Sequence, residues 1–245
     1  MYNEIYSLIE NDDLDKFQKI VSKNTLNDEA IFCYCVDYGA TKILEWMFQN
    51  GVEVSCFDNF AICNAPNSAV LDLLAKYGAD PCHNNNEPII NAVIFYRLGV
   101  VKSLVEHGAD VAARNNMPLT KLCEIFKGGA TDIADYLLKN GANPSVSSGY
   151  PLKKSITNGN FGLSKVLIKY GANVSDLGME DLLYVVNNGS PETVQLLADS
   201  GIDFSLLNGY MPEYINKLLV QKLEFLSNKG VDFKNLYAIM LSKNS

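Results

Sequence analysis

Apolar residues return along the chain at helical spacing, and each run is cut off by glycine. Ile43, Leu44, Met47 and Phe48 precede Gly51, and Val100, Val101, Leu104 and Val105 precede Gly108. Ile133, Tyr136 and Leu137 precede Gly141, and Val166, Leu167 and Tyr170 precede Gly171. Positions i, i+3 and i+4 share one side of a helix, so each run predicts a helix with one buried face. Glycine directly after such a run fits the left-handed residue that ends a helix. The small or apolar residue that follows it can pack back on the helix just ended.

These glycines belong to a repeat. "NGVE" (50–53), "YGAD" (77–80), "HGAD" (107–110), "NGAN" (140–143), "YGAN" (170–173), "SGID" (200–203) and "KGVD" (229–232) are seven copies of one motif. Their glycines, Gly51, Gly78, Gly108, Gly141, Gly171, Gly201 and Gly230, are spaced 27, 30, 33, 30, 30 and 29 residues apart. Ten residues after the first six stand Ala61, Pro88, Pro118, Pro151, Asp181 and Met211. Proline in a first helical turn loses no hydrogen bond, so a second, shorter helix begins there, as in "PIINAVIFY" (88–96). The unit is helix, tight turn, helix, glycine, loop. The stretch "KYGADPCHNNNEP" (76–88) could alone be a metal loop, an active-site loop or a linker. In this frame it is one of six equivalent joints, with Cys82 and His83 as incidental loop residues.

The pattern resembles the ankyrin-repeat family. "MPLTKLC" (117–123), "YPLKKSI" (150–156) and "EPIINAV" (87–93) are similar to the family's T-P-L-H-x-A start of an inner helix. "HGADVAA" (107–113) and "YGANVSD" (170–176) are similar to its G-A-D-V/I loop, and "DYGATKILEWMFQNG" (37–51) to its turn and outer helix. The resemblance implies an all-α ankyrin-repeat solenoid of stacked helix-turn-helix units with short connecting loops. It implies one domain over 1–245, with an N-terminal cap repeat at 1–27, repeats over 28–211, and a divergent last repeat with C-terminal cap at 212–245. The departures matter. Glu87, Met117 and Tyr150 replace the family's threonine, and each lost N-cap hydroxyl costs about 1 kcal/mol unless replaced. The family period is about 33, with about 13 residues from glycine to proline; here that distance is ten, so the projecting hairpins should shrink to simple loops. "KGGATD" (127–132) adds about three residues between its helices, and "NAPNSAV" (64–70) loses about three, against the family unit.

Charge and cysteine content narrow the function. The chain is 48% hydrophobic and 20% charged, with no membrane-length apolar run and no signal-peptide pattern at its start. Its net charge is −8, and residues 1–60 hold 11 acids against 4 bases. That balance opposes a nucleic-acid backbone as partner and permits a basic protein near the N-terminal end. The six cysteines form no C-x-x-C pair, which favours reduced, packed thiols in an intracellular, cytoplasmic protein over a metal site or a disulfide framework. Cys33 and Cys63 share one repeat position, and Cys35 falls where the family packs an alanine. His107 would cap its outer helix. Asp12–Asp13 and Glu180–Asp181 read as helix-start charges. No phosphate loop, nucleophile elbow or H-E-x-x-H motif occurs, and no cofactor or catalytic residue is expected.

On a solenoid, binding belongs to the concave face of inner helices and loops. Candidate contacts there are Tyr38, Phe57, Asn59, Asn84, Asn85, Asn86, Ile94, Phe95, Asn115, Asn116, Glu124, Tyr150, Asn158, Asn187, Asn188 and Tyr210. Tyr38, Phe57, Phe95, Tyr150 and Tyr210 are candidate anchors, since aromatics dominate interface energy. Phe57 and Phe95 stand open between anchor and core, and Trp46 reads as packing between repeats. The expected function is to bind and mask or scaffold a partner protein, as a viral or bacterial antagonist of a host or defence protein would. Composition rich in Asn, Lys, Ile and Tyr fits an AT-rich genome of that kind. Self-association into a structural array, and an enzyme or small-ligand protein using the cysteine-rich half, are the alternatives.

Overall fold

The structure, a computed structural model, describes residues 2–125, 130–210, 212 and 217–233. Among the described residues there are helices and turns and no strand. The chain falls into two compact units, Met1–Leu122 and Cys123–Ser245.

The first unit opens with α1 (Tyr2–Glu10), α2 (Leu14–Ile20) and the short α3 (Lys23–Leu26). Three helix pairs follow: α4 (Glu29–Tyr38) with α5 (Thr41–Gln49), α6 (Cys56–Asn64) with α7 (Ser68–Lys76), and α8 (His83–Ile94) with α9 (Leu98–Glu106). α10 (Ala113–Glu124) begins the next pair. Inner helices α1, α4, α6 and α8 pack side by side, and outer helices α2, α5, α7 and α9 do the same. Each outer helix buries the stripe read from the sequence; Ile43, Leu44 and Met47 of α5 and Val70 and Leu74 of α7 are wholly excluded from water. Burial of side chains of this size contributes roughly 1.5–3 kcal/mol each. Trp46 packs edge-on against buried Phe17 of the preceding outer helix, with ring centroids 6.0 Å apart.

The second unit holds α11 (Ala130–Lys139), α12 (Val146–Thr157) with α13 (Phe161–Lys169), α14 (Met179–Asn188) with α15 (Pro191–Asp199), and α16 (Lys217–Asn228). Short 3-10 turns at Val174–Asp176 and Phe204–Leu207 fill its last two loops. Expectations for the extra residues within 127–132 and for the C-terminal cap at 212–245 fall in part outside the described residues.

All seven motif glycines have a positive φ, between 85° and 102°. The residue after each donates its N–H to the carbonyl five positions before the glycine's own neighbour: Ala79 to Leu74 (3.0 Å), Ala109 to Leu104 (2.9 Å), Ala172 to Leu167 (2.9 Å). This 6→1 bond satisfies a helix-end carbonyl and turns the chain back over its helix. In the five motifs from Asp80 to Asp203 the Asp or Asn that closes the motif then makes an Asx turn. Asp80 accepts from the Cys82 N–H (2.9 Å), Asp110 from Ala112 (2.8 Å) and Asn143 from Ser145 (2.9 Å).

The shortened loops are more ordered than simple loops. Phe57–Asp58–Asn59, Asn84–Asn85–Asn86, Arg114–Asn115–Asn116 and Ser147–Ser148–Gly149 all lie in the left-handed region, at the same three positions after the motif glycine. Each triplet closes on an N–H that reaches back four residues, as from Asn86 to the Cys82 carbonyl (2.9 Å) and from Asn116 to Ala112 (2.9 Å). Asparagine tolerates this conformation better than most residues, which accounts for the asparagine runs. The right-handed inner helix starts after the triplet, so Pro88, Pro118 and Pro151 do sit in a first turn although the helical stretch begins earlier. In the last two loops Leu177 and Leu207 are buried instead, and the backbone leaves its 3-10 turn extended.

Side chains of one repeat also cap the preceding inner helix. Arg97 Nη1 donates to the carbonyls of Asn64 (2.7 Å) and Ala65 (3.0 Å). In the second unit Asn158 donates to Cys123 (2.9 Å), the Tyr184 hydroxyl to Thr157 (2.7 Å) and Lys222 Nζ to Gly189 (2.9 Å). Cations and donors at a helix C-terminus satisfy its free carbonyls and oppose its dipole.

Two outcomes follow from this geometry. An alanine Cβ at Gly149 would lie 2.7 Å from the Asp176 Cβ, whereas at Gly108 it would meet nothing within 4 Å. Both substitutions pay left-handed strain of about 1–2 kcal/mol, so Gly149→Ala should lower the urea midpoint more than Gly108→Ala. Burial holds the Lys222 ammonium below the usual lysine range. The unfolded chain binds that proton more tightly, so this contribution to stability rises as pH climbs from the folded value toward about 10.4. In paired urea titrations, wild type should therefore gain on Lys222→Met between neutral and alkaline pH.

Candidate protein-interaction surface

In the first unit the inner helices present aromatic rings over an acidic surface. Tyr2 and Tyr6 of α1, then Tyr34 and Tyr38 of α4, form a ladder with centroid separations of 6.2, 4.4 and 4.4 Å. Tyr2 and Tyr38, its two ends, are each 53% exposed. The ladder is pinned by carboxylates: the Tyr34 hydroxyl donates to Glu10 (2.6 Å) and the Tyr2 hydroxyl to Asp28 (3.2 Å). Those bonds and the nearby negative charge hold both phenols above their usual range. Phe95 is 56% exposed, and its ring lies 4.9 Å from the Arg97 guanidinium. Phe57 is half-buried against Phe32, with centroids 5.5 Å apart, and borders a cleft also lined by Asp58, Phe60, Cys63, His83 and Glu87. Ile94 is half-buried.

The asparagine tips are partly committed to structure. Asn86 Oδ1 accepts from the Asp110 N–H (2.8 Å), while the carbonyls of Asn84 and Asn85 accept from the Arg114 guanidinium. Asn84, Asn85 and Asn115 keep exposed side chains, and Asn59 and Asn86 are half-buried. Asn116 is a correction: only 8% exposed, it closes its turn from inside and offers no contact surface. Cys82 is a second correction, because its thiol donates to the Gly108 carbonyl at 3.4 Å and so links two loops. Ser145 repeats the arrangement, its hydroxyl donating to the Gly171 carbonyl (3.5 Å) and also accepting from the Asn173 N–H (3.0 Å). His107 faces Asp72 of the neighbouring outer helix, 3.4 Å away, rather than its own helix end.

In the second unit Glu124 accepts from the Tyr150 hydroxyl (3.0 Å) and Asn187 from the Tyr210 hydroxyl (2.8 Å). Glu124, Asn187 and Asn188 are exposed; Tyr150, Tyr210 and Asn158 are half-buried. Tyr184 and Met179 are also exposed there. Asp181 accepts from the Gly178 N–H (2.9 Å), and in the first unit Asp12 accepts from the N–H groups of Lys42 and Ile43 (3.1 Å each), which fits the helix-start reading of both acidic pairs. The sequence reading missed Tyr2, Tyr6 and Tyr34. Their signal is an i, i+4 tyrosine pair on each of two successive inner helices.

No protein-family model matches the chain. It is 23% identical to ankyrin repeat protein R599 of Acanthamoeba polyphaga mimivirus, over 94% of this chain and 70% of that protein. It is 26% identical to R598 of the same virus, over 82% of this chain and 69% of that one. The crystal structure of the human ASB11 ankyrin repeat domain superposes with a TM-score of 0.62 at 17% identity, covering 81% of this chain and 98% of that domain. The chain has an ankyrin-repeat fold. An ankyrin-repeat fold suggests a protein-binding module, and its helix-ending glycines and helix pairs are those described above. Among the described residues, no group of three or more His, Cys, Asp or Glu side chains is placed to hold a metal ion. Nor is any helix long and apolar enough to cross a membrane.

Two of the thiols, Cys35 and Cys123, are packed in the core, and the other four are half-buried. Burial pushes Cys56 and Cys63 up to about 11 and Cys123 up to about 12, and raises Cys33, Cys35 and Cys82. Reactivity needs thiolate, so alkylation of Cys63 near neutral pH should run on the order of a hundredfold slower than free cysteine. Buried Cys35 and Cys123 should react only on unfolding, as read by mass spectrometry after timed iodoacetamide treatment.

Proposed function

We propose that this protein is an interaction module that holds a partner protein on the face made by its inner helices and loop tips, and so masks or scaffolds it. One observation carries the reading. Tyr38 and Phe95 occupy the same repeat position, at the C-terminal ends of inner helices α4 and α8, and each leaves more than half its surface in water. Large aromatic side chains exposed in register on one face form the kind of anchor that binding surfaces use. The raised thiols support binding over nucleophilic catalysis, and ankyrin-repeat proteins are generally non-enzymatic. The mimivirus relatives support a viral setting. There the module would act in the host cytoplasm on a host or rival-defence protein.

The test is affinity capture from host cells followed by titration of the purified partner. Tyr38→Ala and Phe95→Ala should each weaken a stoichiometric complex by about tenfold or more, as anchor truncations costing over 1 kcal/mol do, with helicity unchanged by circular dichroism. Undiminished affinity in the double variant would show that the partner sits elsewhere.

A further inference from the structure

We propose that the tyrosine ladder of α1 and α4 docks an arginine-bearing segment of the partner protein; this rests on the protein-binding reading above and names the chemistry of one part of that surface. The charge distribution is segregated by helix. The inner helices α1, α4, α6 and α8 carry Glu4, Glu10, Glu29, Asp37, Asp58 and Glu87 and not one lysine or arginine. The four bases among residues 1–60, Lys16, Lys19, Lys23 and Lys42, all lie outside these inner helices. A cation approaching the ladder therefore meets carboxylates, while the bases on the inner face lie further along it, Arg97 over Phe95 with its charge reaching Asp37 and Arg114 near Glu87.

The ladder supplies what such a cation needs. Tyr34 stacks on Tyr38 at an interplanar angle of 27°, which covers one side of Tyr38 and leaves the rest of the ring in solvent. A guanidinium binds an aromatic face through the ring quadrupole, and its planar fork donates to carboxylates at the same time. Glu10 and Asp28 each accept one tyrosine hydroxyl, and a carboxylate has acceptor sites to spare after that. Asp37 is exposed beside Tyr38 in the sequence. The chain already makes this contact once with its own residues, since Arg97 lies over Phe95 while its N–H groups go to the Asn64 and Ala65 carbonyls. Among the described residues no arginine lies over a ladder ring, and the two exposed end rings are open to a partner. Lysine fits less well, because its ammonium is a strongly hydrated point charge without a stacking plane.

The test is fluorescence anisotropy of the full chain with a labelled peptide of alternating arginine and glycine, at physiological ionic strength. The lysine-for-arginine and glutamate-for-arginine peptides serve as comparisons. The arginine peptide should bind most tightly, the lysine peptide should bind several-fold more weakly, and the glutamate peptide should not bind. Tyr38→Leu and Tyr2→Leu should each weaken the arginine peptide about threefold to tenfold, the loss expected for a cation–π contact at a partly exposed site. Glu10→Gln and Asp37→Asn should weaken it as well. Absence of arginine-peptide binding, or equal binding of the two basic peptides that survives both leucine variants, overturns the proposal. So does a dimer in sedimentation that Tyr38→Leu dissolves, because a second copy would then occupy the ladder. If the captured partner is lost on Phe95→Ala but kept by Tyr38→Leu, the ladder reading falls while the interaction surface stands.

Discussion

The structure depends on one backbone hydrogen bond, repeated. At the end of each described outer helix after α2 a glycine takes a positive φ, and the next N–H reaches back to a helix carbonyl. That bond fixes the direction in which the chain leaves the helix. Everything downstream inherits it: the Asx turn, the left-handed triplet, the start of the next inner helix, and the register in which its side chains meet the previous repeat. A residue with a Cβ could hold the same geometry only under strain. The glycines are therefore constrained by backbone geometry, while the residues around them vary with packing.

Much of this was legible in the sequence because it is local. The glycine period, the proline starts and the helical stripes each concern residues within a few positions of one another, and chain geometry alone interprets them. The left-handed triplets were half legible. Asn84–Asn85–Asn86 marked a loop, but shortening that loop while keeping its ends in place is what demands three consecutive left-handed residues, and no single letter announces this. Asn116 shows the cost of reading composition alone: it has the same residue type as its exposed neighbour Asn115, yet it faces inward.

Contacts between repeats were the least legible part. One task, satisfying the end of the preceding inner helix, is done by Asn91 and Arg97, by Asn158, by Tyr184 and by Lys222 in turn. Four side-chain chemistries serve it, so no motif records it. The tyrosine ladder was hidden for a related reason. Each i, i+4 pair is visible along the chain, but their stacking needs the α1–α4 contact, which links residues more than two dozen positions apart. Cys82 looked incidental because its partner is a backbone carbonyl in the next loop.

The linkages of each joint reach only to the neighbouring repeat. A repeat thus carries its own helix stop and hands its loose ends to whatever comes next. Within a unit of this kind, duplicating or deleting one copy leaves every other joint chemically complete. The glycines are spaced unevenly, 27 residues at the shortest and 33 at the longest, while the glycine-to-helix-start distance stays at ten, so length varies between the helices of a repeat and not in the joints. A lineage built on this plan can change how many repeats it carries, and so the reach of its binding surface, by recombination rather than by redesigning a core.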